Sequence, residues 1–189
     1  MSGIDVGFLL DRQWHALRGE MESTKQSALL ALARVLDEAG VQYAIIGGVA
    51  LQVHQEEPRT TLDIDLAVRD LDLIPRIELE QAGFCWTGRF AHSENWAYSD
   101  GVPVQFTGDA ALTSALARAV DVDLAGIRLR VIGIADLLHE KLRAGSDPAR
   151  TRSNRLQDLV DAHGLVEQHP DLATELTAVE RGLLGTLPE

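Results

Sequence analysis

The sequence predicts an α+β protein with a mixed, mainly antiparallel sheet, flanking helices and a helical C-terminal part. Apolar residues recur at helical spacing before Gly40, and the chain reads as wholly helical again after Ile132. Between those limits, short runs rich in β-branched and aromatic residues alternate with glycine-containing turns. The expected division is therefore N-terminal helices over 1–40, an α/β core over 41–132, and a helical region over 133–189 packed on that core.

Residues 5–39 contain no proline, and Leu29, Leu30, Leu32, Val35 and Leu36 recur at helical spacing; Glu20 to Thr24 breaks the run in two. Val41 to Val68 reads as strand, glycine turn, short helix, the polar loop Glu56-Glu57-Pro58, and strand. A helix is expected over Asp70–Ala82, stopped by Gly83. Strands follow at Phe84–Phe90, Asn95–Tyr98 and Val102–Thr107, then a helix over Ala110–Ala119. Val120–Leu124 and Ile127–Val131 flank an Ala-Gly turn as a hairpin. Helices are expected over Ile134–Ala144, over Ala149–His163 after a Gly-Ser-Asp-Pro loop, and from Pro170 to Leu184.

Composition narrows the function. A chain of 189 residues with 46% hydrophobic and 24% charged residues buries a real core. Its net charge of −12 opposes non-specific attraction to nucleic acid, so a simple or sequence-specific DNA-binding module is not expected. The one concentration of positive charge is Lys141, Arg143, Arg150, Arg152 and Arg155. A lone cysteine, Cys85, excludes an internal disulfide. No stretch approaches the roughly 20 apolar residues of a membrane span. The expectation is a cytoplasmic protein with no membrane partner.

The segment from Gly47 to Leu66 carries the chemistry. Gly47 and Gly48 follow the apolar run Tyr43–Ile46 and precede Val49-Ala50-Leu51, which reads as a strand turning tightly into a helix whose free N–H groups attract phosphate. Asp63 and Asp65 are separated by one residue, so in an extended strand both carboxylates project from one face, about 7 Å apart. Two such carboxylates repel when ionised unless a cation such as Mg²⁺ or Mn²⁺ sits between them. Phosphate and metal on neighbouring elements point to nucleotide chemistry.

With these residues and this element order, the chain resembles the nucleotidyltransferase superfamily that shares its fold with DNA polymerase β, and within it the small bacterial AbiEii-toxin-like group. The resemblance spans roughly Gln42 to Leu165. It matches Gly47 and Gly48; then Arg59, Thr60 and Thr61 ahead of Asp63 and Asp65; then Lys141; then Arg155, Asp158 and Asp161 on a later helix. It implies a Mg²⁺- or Mn²⁺-dependent enzyme that uses ATP or another NTP. Asp63, Asp65 and Lys141 would be catalytic, with Asp63 and Asp65 as metal ligands. Gly47, Gly48, Arg59, Thr61, Arg155 and Asp158 would bind nucleotide, and Lys141 or Arg59 would offset leaving-group charge. The acceptor implied is an RNA such as tRNA, a protein or a small molecule, and a cognate antitoxin protein is an implied partner. Alternatives are an antibiotic nucleotidyltransferase of the aminoglycoside or lincosamide type, or a degenerate nucleotide-binding or interaction protein.

The sequence departs from the superfamily at one position. A third carboxylate usually stands on a following strand, which here is Gly101–Thr107, and Gln105 occupies the expected acidic position. An amide is a poor metal ligand and a negligible base. The chain then works with one well-held metal, or Asp109 or Glu94 substitutes, or nucleotide binds without efficient turnover. The six histidines show no zinc-ligand spacing. His54 is expected to pack near the glycine helix, Cys85 to be buried, and Trp86, Trp96 and Tyr98 to serve as core or interface residues rather than base-stacking platforms.

Overall fold

The computed structural model describes residues 3–17, 25–56, 59–99 and 101–185. In chain order its elements are α1 (Gly3–Leu17), α2 (Lys25–Glu38), β1 (Tyr43–Ile46), α3 (Gly47–His54), β2 (Ile64–Val68), α4 (Arg76–Gln81), β3 (Phe84–Arg89), β4 (Ser93–Tyr98), β5 (Pro103–Thr107), α5 (Thr113–Ala117), β6 (Val120–Leu124), β7 (Ile127–Val131), α6 (Ile134–Ser146), α7 (Arg152–Gln168) and α8 (Ala178–Leu184). The seven strands form one sheet in the order β3-β4-β5-β2-β1-β7-β6. Four pairings are antiparallel and two, β1 with β7 and β2 with β5, are parallel. This is the mixed, mainly antiparallel sheet expected.

The most apolar strands take the centre. All four residues of β1 are buried, and on β2 Ile64, Leu66 and Val68 are buried on the face opposite Asp65. Helix α3 packs on β1 and β2, α1 packs on α3, and α6 packs on α3 and α7. At the β6–β7 hairpin, Ala125 and Gly126 both have positive φ, 53° and 78°, as a two-residue type I′ turn requires.

Several boundaries differ from the sequence reading. The single helix expected over 70–82 is two pieces. Asp70 accepts a hydrogen bond from the Asp72 N–H to start a 3₁₀ turn at Leu71–Leu73, and α4 begins only after Pro75, which has no N–H to continue a helix. Likewise a 3₁₀ turn at Ala110–Leu112 precedes α5. Helix α7 starts at Arg152 because Thr151 caps the Asn154 N–H, and it runs on to Gln168. The helix expected from Pro170 is a 3₁₀ turn, Pro170–Thr174, followed by α8, which Thr177 and Glu180 open with a capping box. The break expected at Glu20 to Thr24 and part of the Glu56-Glu57-Pro58 loop lie outside the described residues. Cys85 is exposed rather than buried: on the edge strand β3, Phe84 takes the inward position and Cys85 the outward one. Trp96 is buried, whereas Trp86 stands exposed at the same edge.

Candidate active site

Gly47 follows directly on β1 with φ of +63° and opens α3. A Cβ on Gly47 would stand 2.2 Å from Asp65 Oδ2, and one on Gly48 would stand 2.3 Å from Thr61 Oγ1. The two glycines therefore let the acidic segment lie against the helix start, where no side chain caps the first-turn N–H groups. Gly47→Ala is expected to lower the melting temperature by several degrees, since the left-handed backbone alone costs about 1–2 kcal/mol, and to push Asp65 aside. A melting curve superimposable on wild type would contradict this close packing.

A cleft of about 460 Å³ opens in front of these residues. Gly47, Asp63, Asp65 and Gln105 line it from the sheet side, Lys141 from α6 and Asp158 from α7. Asp63 is not in the strand, as the alternation had implied: β2 begins one residue later, at Ile64. Both carboxylates nonetheless reach one cavity, Asp63 exposed and Asp65 only partly so. Burial and the Asp63 charge push the Asp65 carboxyl up from 3.8 to about 7, and Lys141 and Arg150 only partly oppose them. On β5, Gln105 stands in register with Asp65, so the expected third acidic position is occupied by an amide on the same face.

Behind the cleft lies a buried ionic network. The Lys141 ammonium lies 2.9 Å from Asp158 Oδ1 and 2.8 Å from Asp161 Oδ2. Arg59 forks onto Asp161 through Nε and Nη2 at 2.8 and 2.9 Å, and Gln157 donates to the same carboxylate at 2.9 Å. Burial pushes the Asp161 carboxyl up, but the Arg59 and Lys141 contacts outweigh it and hold it below the usual range. Arg150 approaches Asp158 Oδ2 at 3.0 Å as an ion pair without hydrogen-bond geometry.

Of the residues expected from sequence, Gly47, Asp63, Asp65, Lys141 and Asp158 line the cleft together. Gly48, Arg59, Thr61 and Arg155 do not line it: Thr61 is buried against Gly48, Arg59 is committed to Asp161, and Arg155 Nε is buried with no hydrogen-bond partner. Glu94 is removed as a substitute acid, because it is fully buried, forked by Arg76 and away from the cleft. Asp109 does line the cleft, but Arg143 holds it at 2.7 Å. Arg143 and Arg150 are cleft residues that sequence reasoning assigned only to a basic patch; their signal was proximity to Lys141. His54, expected to pack near the glycine helix, is the last residue of that helix itself, and its Nε2 lies 2.7 Å from the Ile132 carbonyl.

The glycine turn and the acidic pair therefore lie side by side on the sheet wall of one cleft, with Lys141 and Asp158 lining it from the helices. Solved structures share the fold. An antigenic nucleotidyltransferase-like protein from Paracoccidioides brasiliensis aligns with a TM-score of 0.52 and 19% identity over 78% of this chain and 89% of its own. The antibiotic-resistance factor ANT(2'')-Ia aligns with 0.54 and 17% over 84% and 92%, and the lincosamide antibiotic adenylyltransferase LnuA with 0.52 and 11% over 75% and 98%. No curated protein sequence matches the chain. The sequence profile of the nucleotidyl transferase AbiEii toxins of type IV toxin–antitoxin systems matches residues 30–185. The chain belongs to that family, and so to a class of nucleotidyl-transferring enzymes. Among the described residues, no helix is long and apolar enough to cross a membrane.

Proposed function

We propose that the protein moves a nucleoside monophosphate from an NTP to an acceptor hydroxyl or phosphate with the help of Mg²⁺ or Mn²⁺, and that it is the toxin of a toxin–antitoxin pair. The observation that carries this reading is the meeting of Gly47, Asp63, Asp65 and Lys141 in one cleft. A divalent cation fits the donor set, because two hard carboxylates line one cleft and the ionised form of Asp65, disfavoured by burial and by Asp63, would be stabilised by a cation beside it. Among the described residues no group of three or more His, Cys, Asp or Glu forms a closed metal cage. The two carboxylates, Asp63 and Asp65, would hold an ion that takes one or two protein carboxylates and completes its shell with substrate phosphate and water. Bound there, such an ion would neutralise phosphate charge during transfer.

The chain's own residues supply the rest. An acceptor oxygen attacks the α-phosphorus, a hydroxyl acceptor giving its proton to solvent, and pyrophosphate leaves with the electrons of the broken P–O bond. Gly47 and the uncapped start of α3 receive phosphate oxygens, and Lys141 and Arg150 face the charge that grows on the leaving side. Gly48, Thr61 and Arg59 act from behind the wall, Arg59 by holding Asp161 against Lys141. Gln105→Asp adds the missing carboxylate beside Asp65 and is expected to raise both divalent-cation affinity and transfer rate. Mn²⁺ titration of both proteins checks this; unchanged values would show that the third acid is not limiting.

Carboxylates outnumber basic groups around the cleft by six to three. That excess favours a cationic acceptor, as an aminoglycoside would be, over an unassisted polyanion. The test is to incubate the protein with each labelled NTP, Mg²⁺ or Mn²⁺, and a cell extract, and to identify which fraction acquires label. Label in RNA, protein or a small molecule names the acceptor; nucleotide binding with no transfer to any fraction would contradict the proposal.

A further inference from the structure

The residues between Arg59 and Asp63 precede β2 and have no strand ladder of their own, so their buried backbone groups need other partners. Those partners come from the N-terminal helices. The Asp11 carboxylate accepts the Thr61 N–H at 3.2 Å through Oδ1, and the Lys25 ammonium donates to the Thr61 carbonyl at 2.9 Å. Asp11 Oδ2 and Lys25 are themselves ion-paired, with side chains only 5% and 3% exposed. Gln52 on α3 extends the cluster: its Nε2 donates to the Arg59 carbonyl at 3.0 Å, and its Oε1 lies 3.4 Å from Lys25 Nζ. Both backbone groups of Thr61 are thus fixed, its side chain is pressed against Gly48, and its hydroxyl donates to Asp63 Oδ1 at 2.8 Å.

We propose that the buried Asp11–Lys25 pair is a latch, and that Asp11 and Lys25 are positioning residues that aim the Asp63 carboxylate through Thr61. A buried ion pair is a poor way to gain stability, since apolar residues of similar volume do as well or better. Among the described side chains, Ile4, Gly7, Phe8 and Asp11 are the buried residues of α1, and Lys25, Ala28, Leu29, Leu32, Ala33 and Leu36 those of α2. A charge on each stripe replaces what would ordinarily be an apolar residue. What the pair does, and an apolar pair cannot do, is hydrogen-bond both sides of the Thr61 peptide. Both residues precede the segment matched by the AbiEii profile, so the latch lies outside the matched core. The inference rests on the reading of Asp63 as a metal-holding carboxylate.

The test uses the full chain and the variant Asp11→Leu/Lys25→Met, which keeps the stripes apolar, with Asp11→Asn measured alongside as the isosteric change. Two signals are read: Mn²⁺ binding by electron paramagnetic resonance, and hydrogen exchange of the Thr61 amide relative to the β2 amides of Leu66–Val68. The double variant is expected to bind Mn²⁺ about tenfold more weakly, as loss of residues that orient a ligand does, and to lose Thr61 protection while β2 stays protected. Asp11→Asn is expected to move both signals in the same direction. Leu29→Ala, a core truncation on the same helix, is expected to lower the melting temperature and leave Mn²⁺ affinity unchanged. If wild type and the variants bind Mn²⁺ equally, the latch proposal is overturned and the metal site stands. If wild type binds no Mn²⁺, the metal reading itself fails and takes the positioning role with it.

Discussion

Asp65→Asn is expected to cut nucleotide transfer by about a thousandfold, the scale of losing a charge-stabilising group in a closed site, and also to stabilise the ligand-free protein at pH 8. The two effects share one cause. The Asp65 carboxyl is raised from 3.8 to about 7 by burial and by Asp63. The fold therefore prefers it protonated. Below pH 4 both folded and unfolded chains carry the proton and Asp65 costs nothing; as pH climbs from about 4 to about 7, the unfolded chain ionises first and stability falls. At about 1.4 kcal/mol per unit, the full penalty above pH 7 is of the order of a few kcal/mol. An amide cannot ionise and removes it. Urea unfolding at pH 5 and pH 8 checks the sign: the gain of Asp65→Asn over wild type should be larger at pH 8. A gain that is equal at both values would show that Asp65 is not held in this state.

Lys141→Met is expected to be strongly destabilising. Lys141 is buried between two buried carboxylates, and removing one partner of such a cluster typically costs 3–5 kcal/mol. Asp161 keeps its Arg59 fork, so the lower end, about 3 kcal/mol, applies, which for a chain of this size is roughly 10 °C in melting temperature. Adding Asp158→Asn removes the carboxylate left with only the oblique Arg150 contact and should recover part of that loss. Transfer should remain absent in the double variant, since Lys141, the cation proposed to face the leaving group, is still missing. Thermal unfolding and label transfer on the same samples separate the two roles; recovered activity in the double variant would place Lys141 in the fold alone.

Legibility in the sequence followed range. Features set by neighbours in the chain were readable: the β6–β7 hairpin from its Ala-Gly turn, the glycine start of α3, and the acidic pair. Strand alternation placed Asp63 and Asp65 together but overextended β2, because the chain enters the strand only at Ile64 and Asp63 is fixed by Thr61 instead. Local punctuation was under-read at Pro75 and Thr177, each of which splits what periodicity alone would join. The pairing of Arg59 with Asp161 spans 102 residues, and no spacing rule reaches that far. The Asp11–Lys25 pair had a signal that went unused: a charge on the apolar stripe of each of two helices.

A nucleoside monophosphate, not a terminal phosphate, is expected to be the group that moves. Parallel reactions with NTP labelled at the α-phosphorus and at the γ-phosphorus, each with Mg²⁺ and the acceptor-containing extract, test it directly. Acceptor labelling is expected from the α-label only, with γ-label recovered in pyrophosphate and no transfer by Asp63→Asn/Asp65→Asn. Acceptor labelling from the γ-phosphorus, or undiminished transfer by that double variant, would contradict it.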